Sequence, residues 1–169
     1  MPDLVVTLPL NFTWPGARGR KGLAAWLMEG DPAGEPESGA EYGFTVGSAV
    51  PDVQRGDRIY VVHNKHLIGY APLWLVSVRS GTSPRRTSLI RRGRAMAVTI
   101  DERIPGFRGW RYRWWDRSLE RPIVNWPDIV AAARANEPLP PFLMCPYRAS
   151  ALDSQGSSPK RTASRKDSP

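Results

Sequence analysis

The stretch that decides the fold is VQRGDRIYVVHNKHLIGYA, residues 53–71. A Gly-Asp turn signal leads into an apolar, β-branched run at 58–63, and a second such run follows at 67–78. Asn64-Lys65 stands between them, and runs joined by so short a polar segment typically pair as a hairpin. We therefore predict a β-hairpin over these residues.

Two further elements are predicted before the hairpin. Residues 4–10 are apolar and β-branched and favour a strand. Residues 21–29 place Leu23, Trp26 and Leu27 at helical spacing, and a Gly-Asp-Pro sequence then stops the pattern. A short amphipathic helix is expected there.

The chain after the hairpin alternates between basic and apolar segments. Residues 80–94 are predicted to form a polar, basic loop, and residues 95–100 a strand. Residues 110–114 alternate aromatic and arginine with period two, which indicates a strand with one ring face and one guanidinium face. Residues 126–135 begin with Trp-Pro-Asp and favour a helix.

Together these elements predict one α+β domain. It would be a small, twisted, partly closed mixed β-barrel with two or three short peripheral helices, over residues 1–148. Residues 149–169 are basic and rich in Ser and Pro, and large apolar residues almost vanish there. Such a segment cannot offset its ordering entropy, so a disordered tail is expected.

Composition excludes several classes of protein. No apolar run approaches the length needed to cross a bilayer, and no secretory signal is visible, so a cytoplasmic location is expected. Cys145 is the only cysteine, and His63 and His66 are the only histidines. A disulfide and a metal site are therefore not expected, nor is any cofactor, and a monomer is favoured.

The positive charge is concentrated in one stretch. Residues 79–121 hold twelve arginines, no lysine and four acidic residues, which accounts for the whole net charge of +8. Arginine offers a planar donor fork that suits phosphate, so DNA or RNA is the expected partner. The candidate phosphate-binding residues are Arg85, Arg86, Arg91, Arg92, Arg94, Arg108, Arg111 and Arg113.

Aromatic residues supply candidates for contact with bases. Trp110 and Trp114 alternate with arginines, an arrangement in which rings stack on bases and guanidinium groups neutralise phosphates. A half-buried edge strand would equally place these rings in the core. Seven tryptophans are many for one core, because each carries an N–H that needs a partner. At least one is expected to line a pocket.

Two loops also carry candidate residues. Asn11 can hydrogen-bond a base edge and Trp14 can stack, although packing of Trp14 against the helix at Trp26 is the alternative. His63 and Asn64 stand at the hairpin tip, where Asn also has a purely conformational reason to occur. Both interpretations stay open for these four positions.

The hairpin resembles the central hairpin of PUA-superfamily domains of the EVE and ASCH type. Those domains carry a strand of the form x-x-G-D-x-h-h-h-h and then h-h-G-h-A, which 54–62 and 67–71 match. A first strand leading to an aromatic loop is also similar. The resemblance touches residues 3–145 and implies a small barrel whose aromatic pocket accepts one flipped-out, often modified, base.

Carried over by position, the resemblance implies a base pocket. Its residues would be Asn11, Trp14, His63 and Asn64, with Trp110 or Trp114 as a second wall. The function expected is therefore binding of nucleic acid, with a flipped-out and possibly modified base in the pocket and arginines on the phosphates.

Two other functions remain open. Some ASCH-type relatives are amidohydrolases of modified nucleosides that use a G-x-K-x-x-E-x-R signature. Lys21 is present here, but Ala24-Ala25 follow Gly22-Leu23 and the signature is absent, so binding rather than catalysis is expected. Exposed tryptophans docking a protein partner would make the chain an interaction module instead.

Overall fold

The computed structural model describes residues 2–29, 41–47, 49–79, 81 and 86–144, so the predicted domain end and tail lie outside the described residues. In chain order the elements are β1 Leu4–Thr7, α1 Gly22–Glu29, β2 Glu41–Val46, β3 Arg58–His63, β4 His66–Arg79, β5 Arg86–Arg92, β6 Val98–Thr99, β7 Trp110–Tyr112, β8 Arg121–Pro122 and α2 Trp126–Ala135. Short 3-10 helices occupy Pro15–Ala17 and Arg117–Leu119.

The predicted α+β class is confirmed. Six strands form one sheet in the order β2-β5-β4-β3-β1-β7, and β6 pairs with β8 in a second ladder. β1 runs parallel to β3. All other neighbours in this sheet are antiparallel, namely β1 with β7, β3 with β4, β4 with β5, and β5 with β2. In the described residues the six-stranded sheet is open, with β2 and β7 at its edges.

The middle of the sheet is buried on both faces. Leu4 and Ile59 contribute to one core, which α1 and α2 cover, and Val5 and Tyr60 contribute to a second core on the opposite face. All four side chains are at most 1% exposed. A strand buried on both faces needs a continuous apolar run, which explains the Ile-Tyr-Val-Val sequence of β3.

The predicted hairpin is confirmed, and the glycine in its second strand, Gly69, has a packing reason. β3 and β4 pair with one irregularity between Val61 and Val62. Gly69 has φ +146, and a Cβ there would collide with the backbone carbonyl of Met96. Met96 and Tyr70 exchange backbone hydrogen bonds at 2.8 and 3.0 Å. Glycine lets this segment approach β4 closely.

The prediction of a loop over residues 80–94 is wrong for residues 86–92, because β5 lies there and pairs with both β4 and β2. Thr87, Leu89 and Arg91 are buried, whereas the residues between them are not. This is period-two alternation, but arginines occupy several positions and hide it in the sequence. The strand predicted at 95–100 is reduced to β6.

Both predicted helices are confirmed. Leu23, Trp26 and Leu27 of α1 are buried, as their spacing predicts. The bounds of α2 match the prediction, and Asn136, at φ 61, ends the helix in the left-handed conformation. No helix within the described ranges has the length and apolar character to cross a membrane.

The strand predicted for 110–114 is shorter than expected, and its alternation holds only within Trp110–Tyr112, whose two rings lie 5.1 Å apart on one side. Only Trp110–Tyr112 forms a strand, at the edge of the sheet, and both Arg111 and Tyr112 are exposed. After it the chain turns away, so that Trp114 is 47% exposed and Trp115 only 5%. The predicted ring face therefore ends at Tyr112, and of its rings Trp110 packs against the core.

Candidate functional site

A cleft of about 520 Å³, which we call the hairpin cleft, lies at the tip of the β3–β4 hairpin. One wall is the tip itself, with His63, Asn64 and His66. Thr99–Asp101 and the segment Leu139–Phe142 with Met144 form the other walls. Leu23 and Ile129, from the two helices, supply buried apolar side chains. The cleft is thus apolar inside, with polar groups at the hairpin tip and at Thr99 and Asp101.

Phe142 gives the cleft a fixed aromatic surface. Its ring stacks on Trp126 at 6.4 Å between centroids and 19° between planes, and contacts His66 at 6.2 Å and 59°. The buried side chain of Asn125 fixes this segment, because its Nδ2 donates to Pro141 O and its Oδ1 accepts from Leu143 N, both at 2.8 Å. The wall is therefore held by hydrogen bonds as well as packing.

His63 presents a defined hydrogen-bonding edge. Its Nδ1 lies 3.2 Å from the carbonyl oxygen of Leu8, so Nδ1 carries the proton in this bond. Burial lowers the pKa of His63 below its usual 6.5, outweighing that hydrogen bond, and the nearby His66 lowers it further. The ring is neutral at pH 7, and its Nε2 is a hydrogen-bond acceptor.

Gly22 allows α1 to approach His63. It has φ +60, and a Cβ there would lie 2.8 Å from Leu10 O and 2.9 Å from His63 Cε1. Any side chain would therefore strain the backbone and displace the imidazole. The first residue of α1 thus helps to set the geometry of the cleft wall.

A carboxylate stands at the mouth of the cleft. Asp101 lines the cleft and pairs with Arg121 at 2.9 Å, with the Asp101 side chain 59% exposed. Although His63, His66 and Asp101 share the cleft, no cluster of three or more such side chains in the described part of the chain is arranged to hold a metal ion. The polar groups are suited to hydrogen bonding.

Of the predicted base-pocket residues, His63 and Asn64 line the hairpin cleft. Asn11 is exposed outside it. Trp14 is half-buried, and its Nε1 donates to Ala25 O at 3.0 Å, which ties the ring to α1. The alternative of packing against the first helix therefore describes Trp14.

The other two tryptophans predicted as a second wall lie elsewhere. Trp110 is half-buried, and its Nε1 donates to Ala49 O at 2.8 Å. Trp114 borders a separate, shallow depression of about 630 Å³ with Arg113 and Arg117. Neither tryptophan lines the hairpin cleft.

The predicted phosphate-binding arginines differ in exposure and in their partners. Arg86, Arg94, Arg108 and Arg111 are exposed, and Arg92 is partly exposed, paired with Glu41 at 3.8 Å. Arg91 is 1% exposed, and burial lowers the pKa of its guanidinium to about 9. Arg113 is committed to Asp3 at 2.9 Å. Arg85 lies outside the described residues.

Sequence reasoning missed His66, Asp101 and Phe142. One signal was available for Phe142, because Leu-Pro-Pro-Phe-Leu-Met after the last helix is an apolar segment that precedes the polar tail. No local signal marks Asp101, whose place in the cleft depends on the pairing of β6 with β8. Lys21 is exposed and is not among the residues that line the cleft.

No family model, no curated protein and no solved structure matches this chain.

Proposed function

We propose that this protein binds nucleic acid by holding a single base in the hairpin cleft. The observation that carries the proposal is the meeting of a fixed aromatic surface, Phe142 with His66, and two hydrogen-bonding side chains, His63 and Asn64, in one cleft of about 520 Å³. Pockets for small ligands typically measure about 300–1,000 Å³. The cleft has room for a base with part of its sugar.

The chemistry of the walls fits a base. Rings offer stacking, which is worth about 1–3 kcal/mol per base. The Asn64 amide both donates and accepts, and neutral His63 adds an acceptor, so the edge of a base can be read. Extrusion of a base costs a few kcal/mol, which these contacts would offset.

Charge supports the same function. The exposed arginines of residues 79–121 and the net charge of +8 attract phosphates. The range of this attraction shortens as the salt concentration rises. We further propose a partly closed, PUA-like barrel, since the Tyr70–Met96 bridge brings the β6–β8 ladder beside β4. In this fold the cleft would open at one end of the barrel.

The test is fluorescence anisotropy of labelled DNA and RNA, single-stranded, matched and centrally mismatched, with the full chain. Asn64→Gly removes the amide yet fits φ 47, and Phe142→Ala removes the ring. Each is expected to weaken binding about tenfold or more, since a lost stack or edge contact is worth 1–3 kcal/mol. Trp114→Ala, outside the cleft, is the control. Equal binding by all four proteins would refute the proposal.

A protein-interaction module is the second candidate, because Trp114 is 47% and Leu119 53% exposed. Exposed tryptophans often anchor protein interfaces. If this is the function, the protein should capture a protein partner that stays bound at high salt. Trp114→Ala should abolish that capture, and Phe142→Ala should leave it unchanged.

A further inference from the structure

The turn at the tip of the hairpin holds a lysine in an unfavourable conformation. Asn64 and Lys65 have φ 47 and 67, the left-handed values that a two-residue type I′ turn requires at both positions. Asparagine tolerates this region, and glycine is the usual second residue. A β-carbon at the second position is disfavoured. An exposed cation therefore stands where glycine would be more stable.

A backbone bond brings a second cation to the same place. Ile104 N donates to Lys65 O at 2.9 Å, which joins the tip to the segment that contains Arg103. Lys65 and Arg103 are both exposed, and neither forms an ion pair within the described residues. Asp101, by contrast, is engaged by Arg121 at 2.9 Å.

We propose that Lys65 and Arg103 bind the phosphates on either side of the base held in the hairpin cleft. This inference rests on the proposed function. A base in the cleft leaves its own phosphates at the mouth, and Asn64, His66 and Asp101, which line the cleft, are close neighbours of the two cations along the chain. Of the arginines in residues 79–121, only Arg103 would then contact these two phosphates.

Glu102 makes the proposal more specific. It is exposed and lies between Asp101 and Arg103, so its carboxylate repels a phosphate at the same mouth. Neutralising Glu102 should therefore tighten binding, and neutralising Lys65 or Arg103 should weaken it. A diffuse basic surface would give the same signs, so the proposal is distinguished by the size of these effects, which should exceed the effect of removing an exposed charge elsewhere, such as that of Arg18.

The test compares Lys65→Gly with Arg18→Gly in the full chain. Arg18 is also an exposed cation with positive φ, 50, so both changes remove one charge and relieve the same strain. Neither is expected to lower the melting temperature. Lys65→Gly should weaken oligonucleotide binding about fivefold, and reduce the slope of log K against log salt by about 0.7–0.9. Arg18→Gly should change affinity less than about twofold.

Arg103→Gln and Glu102→Gln complete the set, with weaker and tighter binding expected respectively. Equal affinity and salt slope for Lys65→Gly and Arg18→Gly would overturn the inference. In that case Phe142→Ala still weakening binding would leave the proposed function standing. If the unmodified protein binds no oligonucleotide, both fall.

Discussion

The carboxylate of Asp3 accepts three hydrogen bonds from the guanidinium of Arg117, at 2.8, 3.0 and 3.2 Å, although the two residues are 114 positions apart. The same carboxylate accepts from Arg113 at 2.9 Å and from the backbone N–H of Arg58 at 3.1 Å. Its side chain has no exposed surface. One buried acid thus fixes the chain after β7 to the start of β1.

Asp3→Asn is expected to lower the free energy of unfolding by about 2–3 kcal/mol, because it leaves one largely buried and one half-exposed guanidinium without their anion. Desolvation raises the pKa of Asp3, but hydrogen bonds from Arg117, Arg58 and Arg113 outweigh it and hold the pKa below 3.8. The contribution is therefore present above pH 3.8 and lost as pH falls through the folded-state pKa.

Urea denaturation at neutral pH and near pH 3 measures both effects. The difference between the unmodified protein and Asp3→Asn should shrink at the lower pH. Asp52→Asn is the control, since Asp52 is exposed. Equal unfolding of all three proteins at neutral pH would show that the ion pairs do not stabilise the fold.

Gly22→Ala is expected to destabilise the protein by about 2 kcal/mol or more and to weaken oligonucleotide binding. The new Cβ would meet Leu10 O at 2.8 Å and displace His63. Gly19→Ala provides a matched change, with φ +81 but nothing within 4 Å, so it costs only the left-handed strain of about 1–2 kcal/mol. Thermal unfolding and anisotropy of the two variants isolate the contribution of the contact.

Acidification is expected to weaken the fold through His63. Its folded-state pKa lies below 6.5, so the unfolded chain takes up a proton first as pH falls. The stabilisation is complete above 6.5 and is lost as pH falls towards the folded-state pKa. NMR titration of the His63 ring should give a value under 6.5. His63→Gln should lose less stability than the unmodified protein between about pH 7.5 and 5.5.

Asn125→Ala is expected to cost about 1–2 kcal/mol, since two hydrogen bonds to Pro141 and Leu143 disappear. The wall that carries Phe142 would then loosen, and oligonucleotide affinity should fall under conditions where the protein stays folded. Asn11→Ala, at an exposed position, tests whether loss of an amide alone has any effect. Retention of full affinity by Asn125→Ala would mean that Phe142 needs no such support.

Local patterns predicted the parts of the fold that depend on local signals. The hairpin and both helices have turn residues and periodicity strong enough to identify them. β5 was missed because buried Arg91 and partly exposed Arg92 are residues that usually mark a surface. The parallel pairing of β1 with β3 has no sequence signature at all, since the partners lie more than fifty residues apart.

Only the part of the site that lies at a locally recognisable turn was predicted. His63 and Asn64 stand at a turn that the sequence identifies, so their place at the end of the sheet followed. Phe142 and Asp101 join them only because α2 and the β6–β8 pair return the chain to that end. Trp110 and Trp114 were wrongly predicted to line the base pocket, because the presence of aromatic residues in a strand does not tell which surface of the fold that strand borders.

The place of β1 also has a consequence for biosynthesis. Its neighbours in the sheet are Ile59–Val62 and Trp110–Tyr112, so the segment Leu4–Thr7 leaves the ribosome long before either partner has been made. Until then an apolar strand has no edge to pair with, and such exposed segments are prone to aggregation. Shielding of β1 until β3 emerges would lower that risk in the nascent chain.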